Sequence, residues 1–146
     1  MASTYSPNLR VELIGTGDQA GTWGSTTNNN LGTLLENAVS GYVSVSVTLA
    51  NQALTALNGA NDQSRNAVIA LTTTTGADFA VYAPPAPKTY VIINSSSYTA
   101  SVYNSTVLGN TTAAGTGVAV VAGGKVAMFS DGTDFRTTDA GSFSGI

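Results

Sequence analysis

Val43, Val45, Val47 and Leu49 alternate one for one with Ser44, Ser46 and Thr48, and a period of two predicts a strand with one buried and one solvated face. Short runs of the same kind predict further strands over 53–57, 65–73, 79–83, 90–93, 99–103, 117–122, 125–130 and 135–138, the first of these weak. Turn chemistry separates them: Asn58-Gly59, Gly76-Ala77-Asp78, Asn94-Ser95-Ser96-Ser97 and Asp131 to Asp134. Gly123-Gly124 predicts a hairpin between 117–122 and 125–130. Three prolines among Pro84, Pro85 and Pro87 cannot donate to a ladder, so the sheet is expected to break there at a stiff crossover. No internal repeat is evident. About nine short strands at this rhythm give a mainly β fold, an antiparallel sandwich or barrel-like sheet pair with one short N-terminal helix.

The helix comes from the one stretch with a different period. Leu31, Leu34, Leu35, Ala38 and Val39 fall at i, i+3, i+4, i+7 and i+8, an apolar stripe that predicts a helix near 30–40. The Asn28-Asn29-Asn30 run supplies capping oxygens at its start, and Gly41 is expected in a left-handed conformation at its end. A helix of about 11 residues is marginal alone, so its stripe must be covered by strands or by another subunit. Ahead of it, Leu9, Val11 and Leu13 alternate with Arg10 and Glu12, predicting an arm over 1–14 that ends in a short strand and docks on a neighbour. The chain is thus divided into an N-terminal arm and docking loop, 1–25, and a single β-rich domain, 26–146. The residues expected to dock are Tyr5, Leu9, Val11, Leu13, Trp23, Leu31, Leu34 and Leu35.

Composition narrows the function classes. With no cysteine and no histidine in 146 residues, thiol and imidazole nucleophiles, bases and metal ligands are absent. Charged residues are 9% of the chain against about 25% in ordinary soluble domains, so Ser, Thr, Asn and Gly must form the surface and copies or partners are expected to cover much of it. Five basic residues and a net charge of −3 give no footprint for nucleic acid. No apolar run is long enough to span a membrane, and residues 1–10 lack a signal peptide's basic and apolar regions, which predicts synthesis and use without secretion.

Candidate chemistry yields to structural readings. Gly15, Gly17 and Gly21 form GxGxxxG, one residue longer than a dinucleotide loop, and Thr22 to Thr27 is not expected to be helical. Asp18, Glu36, Asp62, Asp78, Asp131, Asp134 and Asp139 could pair as glycosidase acids, yet most stand beside turn residues and are expected to accept local backbone N–H groups. Asp131 to Asp134 is too short to supply a Ca²⁺ site alone. The sequons at Asn94, Asn104 and Asn110 are read as a by-product of Asn- and Thr-rich composition. Trp23 and the six tyrosines are expected to fill core and interfaces rather than form a sugar platform. No cofactor, metal or catalytic residue is expected.

The run Tyr5-Ser-Pro-Asn-Leu-Arg-Val-Glu-Leu-Ile-Gly-Thr-Gly-Asp-Gln-Ala-Gly-Thr-Trp-Gly24, continuing through Leu31-Gly-Thr-Leu-Leu-Glu-Asn-Ala-Val-Ser-Gly-Tyr42, resembles the opening of virion structural proteins from tailed bacteriophages. The resemblance is especially to tail-fibre and appendage proteins of marine and cyanobacterial phages. The closing Gly117-Val-Ala-Val and Gly124-Lys-Val-Ala-Met-Phe-Ser-Asp-Gly-Thr-Asp-Phe135 is similar to sheet endings in such fibres. This resemblance implies a non-enzymatic, multi-copy virion protein, often a homotrimer, made in the host bacterial cytoplasm and fastened to other virion proteins by its N-terminal region. Related fibres continue into a shaft or receptor-binding tip, so receptor recognition is not carried over. A capsid decoration protein and a module binding a host-surface glycan are the alternatives.

Overall fold

The computed structural model describes residues 3–138; Asp139 and the patternless tail after it lie outside the described residues. Within them the chain passes back and forth between two sheets. Its strands are β1 (Thr4–Tyr5), β2 (Glu12–Leu13), β3 (Tyr42–Val47), β4 (Asn51–Ala53), β5 (Val68–Thr73), β6 (Phe79–Ala83), β7 (Pro87–Asn94), β8 (Ala100–Asn104), β9 (Val118–Val120), β10 (Lys125–Asp131) and β11 (Phe135–Thr137). One sheet has the order β11-β10-β7-β5-β3 and the other β4-β6-β8-β9. The fold is therefore mainly β, a pair of facing sheets with one helical segment and no closed barrel.

Strand direction is where the structure departs from an antiparallel sandwich. β3, β5 and β7 run parallel, with Val43 opposite Ile69 and Ile69 opposite Ile92. β4, β6 and β8 are also parallel, with Val81 opposite Val102. Each short turn carries the chain across to the other sheet, so β3–β4, β5–β6 and β7–β8 are successive circuits stacked on one another. A parallel pair needs a long crossover, and here the strand of the opposite sheet provides it. At the far end, β9 on β8, β10 on β7 and β11 on β10 close the stack with antiparallel pairs. Gly123-Gly124 is consequently not a hairpin turn; β9 and β10 belong to different sheets.

The inward positions of both sheets make one core: Val45, Val47, Ile69, Leu71, Tyr90, Ile92, Met128 and Phe135 from one side, Phe79, Val81, Ala83, Ala100, Val102 and Val120 from the other. Each large aliphatic or aromatic side chain fully buried there contributes about 1.5–3 kcal/mol. Where strands leave the sheets, buried asparagines satisfy the corners. Asn94 Nδ2 donates to the carbonyls of Tyr98 (2.6 Å) and Val120 (2.9 Å), while its Oδ1 accepts from Ser96. Asn104 Nδ2 donates to Pro84 O at 2.8 Å, and its Oδ1 accepts from Ser130 Oγ at 2.7 Å. Both amides are fully buried, so two of the three sequons are closed to glycosylation in the folded chain.

The helical segment begins earlier than its apolar stripe. It runs as α1 (Trp23–Asn29), a wide π turn (Asn30–Leu35) and α2 (Glu36–Ser40), so residues 23–29 are helical against expectation and the segment crosses the 25/26 boundary drawn from sequence. The Asn run does not cap it, since it lies mid-helix and Thr22 makes no side-chain capping bond. Gly41 is extended, at φ −71°, rather than left-handed. Glycine is required there for space: a Cβ would stand 2.4 Å from Asn66 Oδ1 and 2.5 Å from Asn37 O.

Candidate docking site

Residues 4–13 form a tight hairpin rather than an extended arm. β1 and β2 pair antiparallel, with Thr4 opposite Leu13 and Tyr5 opposite Glu12. Ser6 organises the turn: its N–H donates to Val11 O and its Oγ accepts from Val11 N–H, both at 2.9 Å. Arg10 sits in the left-handed region at φ 57°, which breaks the period-two alternation predicted through Leu9 and Val11.

A buried arginine holds this hairpin on the body. Arg65 Nε and Nη2 donate to Leu9 O at 2.9 and 2.6 Å, Nη2 also to Leu57 O at 2.8 Å, and Nη1 to Ala60 O. The Asp62 carboxylate lies 3.3 Å from Nη1 and accepts from the N–H groups of Leu57 and Arg65. Burial raises Asp62 above the ordinary carboxylate range, opposed by those backbone donors and by Arg65, and burial lowers Arg65. Nearby, Lys88 Nζ donates to Asn66 O at 2.9 Å and stands 4.0 Å above the Tyr90 ring. Burial lowers Lys88 to about 8 and raises the Tyr90 hydroxyl. The cavity among these groups measures only about 10 Å³, roughly one water. Perturbed groups converge here, but they clamp backbone rather than surround a substrate.

Side-chain amides seal the hairpin to the helix. Asn30 imitates a neighbouring strand, taking Glu12 N–H on Oδ1 (3.0 Å) and giving Nδ2 to Glu12 O (2.7 Å). Asn29 Nδ2 reaches Gly59 O at 2.9 Å, and Gly59 N–H donates to Arg10 O at 2.7 Å. The Asn run is thus a tether. Its position in the π turn matters for the stripe as well. π-type hydrogen bonds span five residues and widen the turn, so a pattern spaced for about 3.6 residues no longer keeps to one face. Leu34 turns inward and is fully buried, whereas Leu31 is 58% and Val39 75% exposed.

Between hairpin and helix lies an open groove of about 300 Å³, lined by Pro7, Leu9 and Val11 on one wall and Leu31 and Leu35 on the other, with Ser6, Asn8 and Asn30 among its lining. Four of the eight residues expected to dock, Leu9, Val11, Leu31 and Leu35, therefore meet in one apolar surface. Trp23 is 60% exposed and Leu13 is exposed on β2. Tyr5 is directed toward Gly59, where an added Cβ would meet its ring at 2.9 Å. Leu34, expected to dock, instead lies inside, where it can support the groove but cannot touch a partner. Sequence reading missed Arg65, whose role appears only when the 54–67 loop meets the hairpin; the signal was a lone Arg amid polar turn residues, with Asp62 three positions before it.

Asp78, Asp131 and Asp134 serve turns and loops. Asp78 Oδ1 accepts Thr99 N–H, and Asp134 Oδ1 accepts Thr116 N–H at 2.8 Å. Asp131 Oδ1 accepts the N–H groups of Thr133 and Asp134, which hold that carboxyl below its usual range. Gly17 and Gly21 adopt positive φ ahead of the helix. Among the described residues no three acidic side chains gather as metal ligands, and no helix is long and apolar enough to cross a membrane. Tyr82 and Tyr90 are buried, the former stacked on Tyr103 at 5.5 Å, and among the described residues the exposed aromatics are Tyr5, Trp23, Tyr42 and Phe129. No protein-family model, curated protein or solved structure matches the chain.

Proposed function

We propose that this chain is a non-enzymatic structural protein of a phage virion, of the tail-fibre or appendage class, that self-associates and docks onto the particle through its N-terminal region. The reading is supported chiefly by the apolar groove between the hairpin and the helix, uncovered in a chain with so few charges to keep it soluble. The likeness of residues 5–42 to the opening of such proteins supports it independently. Three copies meeting through the groove and the exposed Leu31–Val39 flank is the expected assembly.

Light scattering on the purified chain tests self-association: Leu31→Lys with Leu35→Lys should lower the mass without lowering the unfolding midpoint. Imaging phage particles with antibody to the purified chain tests the place. Label on the tail supports an appendage, label on the shell moves the protein to the decoration class, and unlabelled particles remove the virion reading. The exposed Trp23 keeps a glycan-binding module as a second reading, which a glycan array without hits would eliminate.

A further inference from the structure

Four strands edge the two main sheets: β11 and β3 on one, β4 and β9 on the other. An open edge presents unpaired N–H and C=O groups, and short strands or charges are the ordinary protection against pairing with another chain. β4, β9 and β11 are three residues long, and β11 carries Arg136 beside Asp131 and Asp134. β3 has no such protection. Tyr42-Val-Ser-Val-Ser-Val47 is six residues without charge, proline or glycine, and Tyr42, Ser44 and Ser46 are exposed.

Hydrogen-bond parity identifies the free groups. Val68 N–H donates to Gly41 O and Thr74 N–H to Val47 O, so the odd-numbered residues turn their backbone groups toward β5. Ser44 and Ser46 therefore turn theirs to the open edge. The sequence over 43–47, Val-Ser-Val-Ser-Val, also reads the same in both directions.

We infer that β3 is a two-fold pairing edge, occupied by β3 of a second copy running antiparallel and centred on Val45. In that register Val43 lies opposite Val47 of the partner subunit and Ser44 opposite the partner's Ser46. The Ser44–Ser46 pairs are the ones whose outward backbone groups exchange both N–H···O bonds, and the central valine pair occupies the position without ladder bonds, as the parity demands. The valine faces stay continuous with both cores, and hydroxyls face hydroxyls outside. A one-residue slip would turn valines outward. Centring on Ser44 instead would set Val47 opposite Gly41, outside the strand, so the palindrome favours one register. Such a contact is isologous, with each copy giving and receiving the same surface.

This edge uses none of the groove residues and does not rest on the virion reading. The test is the mass of the intact chain in solution by light scattering. An even number of chains is expected: two through the edge alone, six if the groove also joins three. One or three chains overturns the edge, and three would leave the groove reading standing. Ser46→Pro deletes an outward N–H while sparing the β5 ladder, and it should halve the assembly. Should that variant fail to fold, Ser44→Lys with Ser46→Lys, and separately Ser44→Glu with Ser46→Glu, set like charges opposite each other and should each halve it. Mixing the two variants pairs Lys with Glu and should restore the even assembly. A mass unmoved by the charge variants, or no recovery on mixing, overturns the proposal.

Discussion

The strand stack and the N-terminal segment handle apolar side chains in opposite ways. Along β5–β8 the large side chains point between the sheets, and β6 is buried along its whole length. In residues 4–42, by contrast, Leu34 is the one fully enclosed large side chain, while Leu13, Trp23, Leu31, Leu35, Val39 and Tyr42 face out. The stack is held by area removed from water, which is non-directional and additive over many residues. The N-terminal segment is held by a few directional bonds from Arg65, Asn29 and Asn30 to backbone. Such bonds fix orientation at small net stability, and they leave its hydrocarbon available for a partner.

That contrast is sharpest at Arg65. Arg65→Met strands the Asp62 carboxylate and uncaps the carbonyls of Leu9 and Leu57, so a loss of about 3–5 kcal/mol is expected in urea unfolding, with earlier proteolysis near residues 8–10. Protease sites that stay as slow as in the parent would show that the clamp does not hold the hairpin. Leu71→Ala, in the stack, should cost about 2–5 kcal/mol and leave proteolysis of the hairpin unchanged below the global transition. Asn104→Ala leaves Pro84 O and the Ser130 hydroxyl without their partner in a buried corner, for about 1–3 kcal/mol by the same measurement.

A pH titration makes a smaller distinction. Burial lowers Lys88 to about 8 from 10.5, so between those values the unfolded chain binds the extra proton and stability rises with pH. The gain is read between pH 8 and 10, because the raised Tyr90 hydroxyl opposes it once unfolded tyrosines ionise. The urea midpoint should climb over that window in the parent and stay flatter in Lys88→Met. Smallest of all, Leu31→Ala should move stability by no more than about 0.5 kcal/mol while reducing self-association. A large drop in its unfolding midpoint would place Leu31 in the fold rather than on a docking face.

How much of this was legible in advance depends on whether the signal was local. Turn residues at Asn58-Gly59, Gly76 and Asp131–Asp134, and the strand over 79–83, could be read because their chemistry acts within a few residues. The helix start is not legible because Trp23 to Asn29 has no apolar stripe, and the amides of Asn29 and Asn30 serve Gly59 and Glu12 instead of capping. The apolar residues expected to dock were legible as a set from their composition and position. Which of them share a surface was not, since the π turn alone sends Leu34 inward and Leu31 outward.

By itself, then, the sequence determined the β-rich class, the turn positions, the missing thiol and imidazole chemistry, and the surplus of apolar residues near the N-terminus, all properties of composition and short period. Only the tertiary structure decided that the strands stack in parallel circuits, because alternation has the same period whichever neighbour a strand pairs with. It also decided that Arg65 reaches Leu9 from 56 positions away and that Asn94 and Asn104 seal corners. Those contacts join residues far apart in the chain, and no local preference of either partner encodes the distance between them.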